Sequence, residues 1–377
     1  MAGLYIHIPF CRSRCIYCDF FSTTLPATWQ MPYVEALGRE LEMRATLKEE
    51  SEGASLYLGG GTPSQLTPEA LRLLFHLIRQ HATLAPDAEV TIEANPDDVT
   101  PEWIEALHQT PVNRVSMGVQ SLDDNILHLL RRRHTAHQVL RAVHMLQEAG
   151  YENLSLDLIY GLPGQTLSQF QGDVRQLLDL GIPHLSAYAL QFEPDTPLMA
   201  MRQAGTVSEA DEELSLECYQ SLIDLTREAG LEHYEISNFA RPGFRSRHNS
   251  SYWTGEPYIG LGAGAHSYDG HNTRSYNCED VETYIQTIGQ GRLPLTEEHL
   301  DRDTRYNERV MLSLRTCEGL SLPLLEHDFG PERRSYCERM AAPHLAAQRV
   351  QKKEGEALCL TRQGLFVSDD IISDLMV

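Results

Sequence analysis

Three cysteines within eight residues, Cys11-x-x-x-Cys15-x-x-Cys18, constrain this chain more than any other feature. They follow the run Leu4-Tyr5-Ile6-His7-Ile8, which alternates as a strand does, so the loop leaving that strand carries them. Arg12, Ser13, Arg14 and Asp19 lie between and beside them, which argues against three packed core thiols. Two metal readings remain. Three thiolates from one loop can hold three irons of a cubane and leave the fourth iron open. A structural zinc site closes with four protein ligands, and the nearby candidates for a fourth, His7 and Asp19, stand at no familiar spacing.

The other five cysteines (Cys218, Cys278, Cys317, Cys337 and Cys359) are scattered, as buried thiols of a reduced cytoplasm are, and make no disulfide framework. Met1 leads almost directly into the first strand, with no charged and apolar leader, and no apolar run approaches a membrane span. The expected location is the cytoplasm. A formal charge of −22 argues against a general binder of nucleic acid or anionic membranes, which needs Lys and Arg to neutralise phosphates. Arg131-Arg132-Arg133-His134 is one local basic cluster.

The first half repeats a strand-then-helix pattern. Apolar or alternating runs at 3–8, 55–59, 89–93, 113–118, 154–159 and 184–190 predict strands, and the spacing predicts helices over 67–80, 135–149 and 167–179. Thr67-Pro68-Glu69 and Thr100-Pro101-Glu102 mark helix starts, and Gly150, Gly181 and Gly230 mark helix ends. Six such units predict parallel strands joined by right-handed crossovers, hence an α/β barrel or part of one, with an open doubly wound sheet as the alternative. The expected division is a barrel over 1–240, an aromatic and glycine-rich connecting region over 241–297, and a small, mainly helical, winged-helix-like domain over 298–377. That last module carries 11 Lys/Arg against 13 Asp/Glu over 300–377, so it is expected to pack as a lid and not to bind DNA.

In a parallel barrel, functional groups gather at the C-terminal ends of the strands. The cysteines, Gly59-Gly60-Gly61-Thr62-Pro63, Glu93 and Gln120 fall at four successive strand ends, and Asp157 lies within the fifth strand. Each acid or amide alone reads as a satisfied core group. Together they are better explained by one polar ligand, because burying them unpartnered is costly. Gly260-Leu261-Gly262-Ala263-Gly264-Ala265 formally fits a dinucleotide fingerprint, but the turn-like His266-Ser267-Tyr268-Asp269-Gly270 follows it where a helix should open. It is expected to be a close backbone pass near the ligand pocket.

The cysteine spacing and the six strand–helix units resemble the radical S-adenosylmethionine (SAM) superfamily. The resemblance implies a partial (β/α)6 barrel and a [4Fe–4S] cluster on Cys11, Cys15 and Cys18. It also implies SAM held by Gly60, Gly61, Thr62, Glu93, Gln120, Arg132 and Asp157, with Tyr5 and Tyr17 flanking the cluster loop and Ala189 and His266 on the adenosine side. The spacing of Arg132 from Gln120 matches the branch that contains oxygen-independent coproporphyrinogen III oxidase. In those oxidases a further cysteine follows the third by two residues; here that place is Phe20. His248-Asn249-Ser250-Ser251-Tyr252-Trp253 is similar to the H-N-x-x-Y-W motif of the HemW-type heme chaperones in the same branch. That resemblance implies heme as a third cofactor, with His248 as axial ligand and Tyr252 and Trp253 against the porphyrin. Arg245 and Arg247 stand near enough in sequence to meet propionates. It implies transfer of heme to acceptor hemoproteins and an electron donor if SAM is cleaved, and it leaves room for transient contact with membrane hemoproteins. The competing expectation is a radical decarboxylase of the coproporphyrinogen oxidase type.

Overall fold

The computed structural model describes residues 3–44 and 52–377. Six parallel strands, β1 (Gly3–Ile8), β2 (Glu52–Gly60), β3 (Thr83–Ala94), β4 (Arg114–Gln120), β5 (Asn153–Tyr160) and β6 (His184–Ala189), are neighbours in chain order. That order is what short helical crossovers of one hand produce. The helices Pro68–His81, Ala136–Glu148 and Leu167–Asp179 match the expected spans closely. Thr67 and Thr100 cap their helices by accepting from the backbone N–H of Ala70 and Trp103, which satisfies one of the donors a helix start leaves free.

The arc of strands does not close. At one edge β6 pairs with β8 (Asn238–Ala240), which pairs with β7 (Glu232–Glu235). At the other, β9 (Tyr258–Leu261) runs parallel to β1 and leads to the antiparallel β10 (His266–Tyr268), β11 (Thr273–Asn277) and β12 (Leu295–His299). Residues 241–297 therefore extend the barrel's own sheet, and Leu261, Val281, Tyr284 and Ile288 join its core. Glu40 fastens this extension: its fully buried carboxylate accepts from Gly262 N–H (2.9 Å), Asn277 Nδ2 (2.8 Å) and the Tyr284 hydroxyl (2.5 Å), and pairs with Arg44 (3.0 Å).

The glycine-rich stretch is a close pass, but against β1 and not at the pocket. A Cβ on Gly262 would stand 2.4 Å from the Tyr33 hydroxyl and 2.8 Å from the His7 carbonyl, and its φ of +99° favours glycine. The C-terminal region has its own core of residues such as Tyr306, Val310, Leu325 and Ile371. There helices surround a small antiparallel sheet of β13 (Leu320–Ser321), β14 (Val350–Lys353) and β15 (Ala357–Leu360). Arg362 ties it to the barrel by pairing with both carboxylate oxygens of Asp224 at 2.7 Å. No helix among the described residues is long and apolar enough to cross a membrane.

Candidate functional site

A cavity of about 560 Å³ opens at the C-terminal ends of β1–β6. Cys11, Cys15 and Cys18 line it together. Ile16, between two of them, is almost fully buried among Ile126, Leu130, Ile159 and Leu198, and its backbone bonds to Leu130 and Leu198. One apolar side chain thus pins a loop whose neighbours must face outward. Cys11 Sγ lies 3.3 Å from Thr62 Oγ1, and Arg132 Nη1 donates to Cys15 Sγ at 3.4 Å. Burial pushes both the Cys11 and Cys18 thiols up, Cys18 to about 11, so thiolates here call for a bound positive charge. Among the described residues no three metal-binding side chains converge on one ion. Three thiols on one cavity wall fall short of the four ligands that close a structural zinc site and are enough for a cubane that leaves one iron open.

Glu93 and Asp157 line the same cavity. Glu93 accepts from the Tyr57 hydroxyl (2.8 Å) and from Gly60 N–H (3.1 Å). Burial nevertheless raises it to about 7, with Asp157 adding to the rise and Arg114 opposing it. Asp157 is raised to about 6, again by burial first. Gln120 sits where β4 slips register against β5, with φ +70°, a costly conformation for a residue with a side chain. Gly61 passes so close to β1 that a Cβ would meet the Pro9 carbonyl at 2.6 Å, which leaves bare backbone beside Thr62. Tyr17 and Ala189 also line the cavity, and so does Phe20, 66% exposed at the place where the oxidases carry a cysteine.

All three arginines reach the cavity wall, in different states. Arg131 is exposed, Arg133 pairs with Asp97 (2.9 Å) and Asp98 (3.2 Å), and Arg132 is partly buried against the cysteine loop. Arg132 Nη2 is fixed by Asn95 Oδ1 (2.6 Å) and the Gly118 carbonyl (2.5 Å).

Five of the expected site residues do not line this cavity. Tyr5 lies three positions before the end of β1, deep in the barrel, where its ring stacks on Tyr57 and His248 and its hydroxyl bonds His7 Nδ1 at 3.0 Å. His266 is on β10, outside the six-strand arc, stacked on Tyr276. His248 is 1% exposed with both ring nitrogens bonded, Nδ1 to Ser55 Oγ (2.9 Å) and Nε2 to the Tyr252 hydroxyl (2.8 Å). Burial and the nearby Arg114 lower its pKa to about 3, so it is neutral. In this conformation it presents no free nitrogen to an iron. Arg245 pairs with Glu318 (2.7 Å) and Glu232 (3.2 Å), and Arg247 with Asp87 (3.5 Å), so neither is turned to a ligand. Tyr252 and Trp253 line a second, smaller cavity instead.

Arg114 and Asn249 line the main cavity without having been singled out in the sequence. Arg114 is 1% exposed, yet its Nε and Nη1 lack hydrogen-bond partners among the described residues. A charge inside the apolar run Arg114-Val115-Ser116-Met117 was the available signal.

An open arc of six parallel strands with three cysteines on its first loop defines the class: the Radical SAM superfamily, which matches residues 5–177. Within it the chain belongs to the HemW family. It is 34% identical to "Heme chaperone HemW" of Bacillus subtilis, covering 98% of each chain. To the protein of the same name from Lactococcus lactis it is 33% identical, covering 99% of this chain and 97% of that one. The Escherichia coli protein of that name is 38% identical over 70% of this chain and 69% of its own. Residues 300–367 match the HemN C-terminal domain. Coproporphyrinogen III oxidase (HemN) from Escherichia coli has the same fold, with a TM-score of 0.86 over 100% of this chain and 90% of that one at 24% identity.

The donor set fits the cofactors the superfamily implies. Cys11, Cys15 and Cys18 would hold a [4Fe–4S] cluster by three irons, and Gly60, Gly61, Thr62, Glu93, Gln120, Arg132 and Asp157 would hold SAM beside it. Bound together, cluster and SAM supply one-electron chemistry at the sulfonium. The chain's own contribution is positional. Ile16 and Arg132 fix the cysteine loop, and the Glu93 and Asp157 carboxylates would face a cationic ligand.

Proposed function

We propose that this chain is a heme chaperone: it holds a [4Fe–4S] cluster and SAM in the strand-end cavity, carries heme, and delivers it to acceptor hemoproteins. The observation that carries the reading is the match along nearly the whole chain to relatives named as heme chaperones. The cavity lends support, since three thiols, two carboxylates and a fixed arginine face one space. Phe20 supports it too, because the cluster loop of this chain ends in an exposed apolar ring and not a fourth thiol.

The test is anaerobic reconstitution with iron and sulfide, followed by titration with hemin and then SAM. Expected are a cluster lost in C11S/C15S/C18S, stoichiometric heme, and transfer of that heme to an apo-hemoprotein. The second reading, a porphyrinogen decarboxylase, draws on the shared fold of the solved oxidase. Formation of protoporphyrinogen from coproporphyrinogen III with SAM and dithionite would overturn the first reading in its favour.

A further inference from the structure

Arg114 is the first residue of β4, yet it is 1% exposed and lines the strand-end cavity. It makes no ion pair among the described residues, and its Nε and Nη1 have no hydrogen-bond partner there. A buried cation without a direct partner is costly, so other charges must repay it. Strand register shows which. Arg114 is paired with Thr91, two positions before the Glu93–Ser116 pair and four before the Gly118–Asp157 pair. Alternate residues of a strand share a face, so Arg114 stands on the wall between Glu93 of β3 and Asp157 of β5. Along β4 it lies six positions from Gln120, roughly 20 Å at about 3.3 Å per residue. An arginine side chain spans far less than that. Arg114 is too deep to meet a ligand held at the rim, and the two acids stand between.

The other groups that face the pair are neutral or engaged. Tyr5, Tyr57 and Tyr252 face Glu93, Tyr57 and Tyr188 face Asp157, and burial keeps all these phenols protonated. Ser116 and Ser186 offer Asp157 hydroxyls only. Arg132 also faces Asp157, but Cys15, Asn95 and the Gly118 carbonyl hold it. Around Arg114 itself, His184 and His248 are lowered by burial and by the guanidinium, so neither is charged. Tyr234 is a protonated phenol, and Glu89 spends its carboxylate on the N–H groups of Arg247 and His248, each at 3.0 Å.

We infer that Arg114 is a positioning residue for the SAM site: its guanidinium is the buried counter-charge that lets Glu93 and Asp157 be ionised together toward a sulfonium. The inference rests on the SAM-binding reading of this cavity and adds the residue that sets its charge. Two carboxylates in one buried space oppose each other's ionisation, and one keeps its proton unless a cation shares the space. Arg114 supplies that cation from the floor, where it does not compete with the ligand at the rim. Burial raises Glu93 to about 7 and Asp157 to about 6, with Arg114 opposing the rise in both. Without the arginine both would titrate higher, and SAM would meet a neutral wall at pH 7.

The experiment is titration calorimetry of the anaerobically reconstituted protein with SAM across pH 5.5–9, in wild type, R114M, R114Q and R114K, with melting and cluster absorbance as controls. R114M and R114Q are expected to move the rise in affinity up by about one pH unit or more, weakening SAM roughly tenfold at pH 7 and converging on wild type near pH 9. R114K, which keeps the charge, is expected to keep most of the wild-type profile. Infrared difference spectra without SAM read the protonated carboxyl directly, and its loss with rising pH is expected to be delayed in R114M by the same amount. A folded neutral variant whose profile does not move, or one that loses equal affinity at every pH, would overturn the inference and leave the SAM site standing. Neutral variants that unfold alone but fold with E93Q/D157N would support it; unfolding on both backgrounds would overturn it. Wild-type protein that binds no SAM at any pH would remove the underlying reading, whatever the infrared titration shows.

Discussion

His248 Nε2 and the Tyr252 hydroxyl are 2.8 Å apart, and that bond joins the two cavities. On one side His248 stacks on Tyr57 (5.0 Å between centroids), whose hydroxyl donates to Glu93 in the strand-end cavity. On the other, Tyr252 meets Tyr258 edge-on at 4.7 Å in the wall of the second cavity. The histidine that sequence marks as a metal ligand is, in this fold, a neutral buried link between two cavities.

That placement makes His248→Ala first of all a packing defect. Truncating a buried ring and stranding the Ser55 and Tyr252 hydroxyls is expected to cost about 2–4 kcal/mol of stability, read by denaturant unfolding. A variant as stable as wild type would contradict the burial seen here.

Arg132→Gln is expected to lower SAM affinity by roughly 10–100-fold, the scale of a lost charge-assisted bond. Iron content should fall less, because the thiols remain. Arg141→Gln, on an exposed residue that does not line the cavity, should leave SAM binding unchanged. Isothermal titration of the reconstituted protein compares the two; equal losses would deny Arg132 its special place.

Gly61→Ala is expected to disrupt the cluster loop, since its Cβ would press on the Pro9 carbonyl, backbone that cannot rotate away. A loss of about 1–3 kcal/mol is the usual cost of forced overpacking. The matching readout is lower iron retention during gel filtration. Full iron retention with unchanged melting would show that β1 yields at that point.

SAM affinity is expected to rise with pH through the range 6–7. Burial lifts Glu93 to about 7 and Asp157 to about 6, so both are largely protonated at pH 5.5 and largely ionised at pH 7.5. Arg114, Tyr57 and the Ser116 and Ser186 hydroxyls face them and set these values. A sulfonium ligand favours the ionised forms, so its binding releases protons and tightens by up to roughly tenfold per pH unit where one group titrates. For the ligand-free protein the sign is opposite. A carboxyl whose folded pKa is raised stabilises the fold below its unfolded pKa, and that contribution is lost as pH rises from about 4 to 7. Titration calorimetry and melting across pH 5.5–8 read both; E93Q should flatten the affinity profile.

Much of the strand-end site was legible in the residues because barrel geometry is local and periodic. A strand, a glycine turn and a capped helix recur, and each strand end projects its polar residue to the same rim, so Glu93, Gln120 and Asp157 could be grouped before any coordinates. Arg132 was legible only through family spacing, since three adjacent arginines differ in nothing but the turn that aims them. Arg114 went unnoticed because one charge at the start of a strand does not reveal which side of the sheet it faces.

By itself, then, the sequence determined the alternating strand–helix scaffold, the cysteine loop that follows the first strand, and the acids at successive strand ends. These follow from side-chain period and chain-neighbour contacts. Tertiary structure alone decided what lies far apart in the chain yet touches. Glu40 fastens Asn277 and Tyr284, Ser55 holds His248, and Tyr252 and Trp253 share a cavity with Arg305 and Phe329. No periodicity encodes those meetings, because the return of residues 241–297 to the edge of β1 depends on packing between segments more than two hundred residues apart.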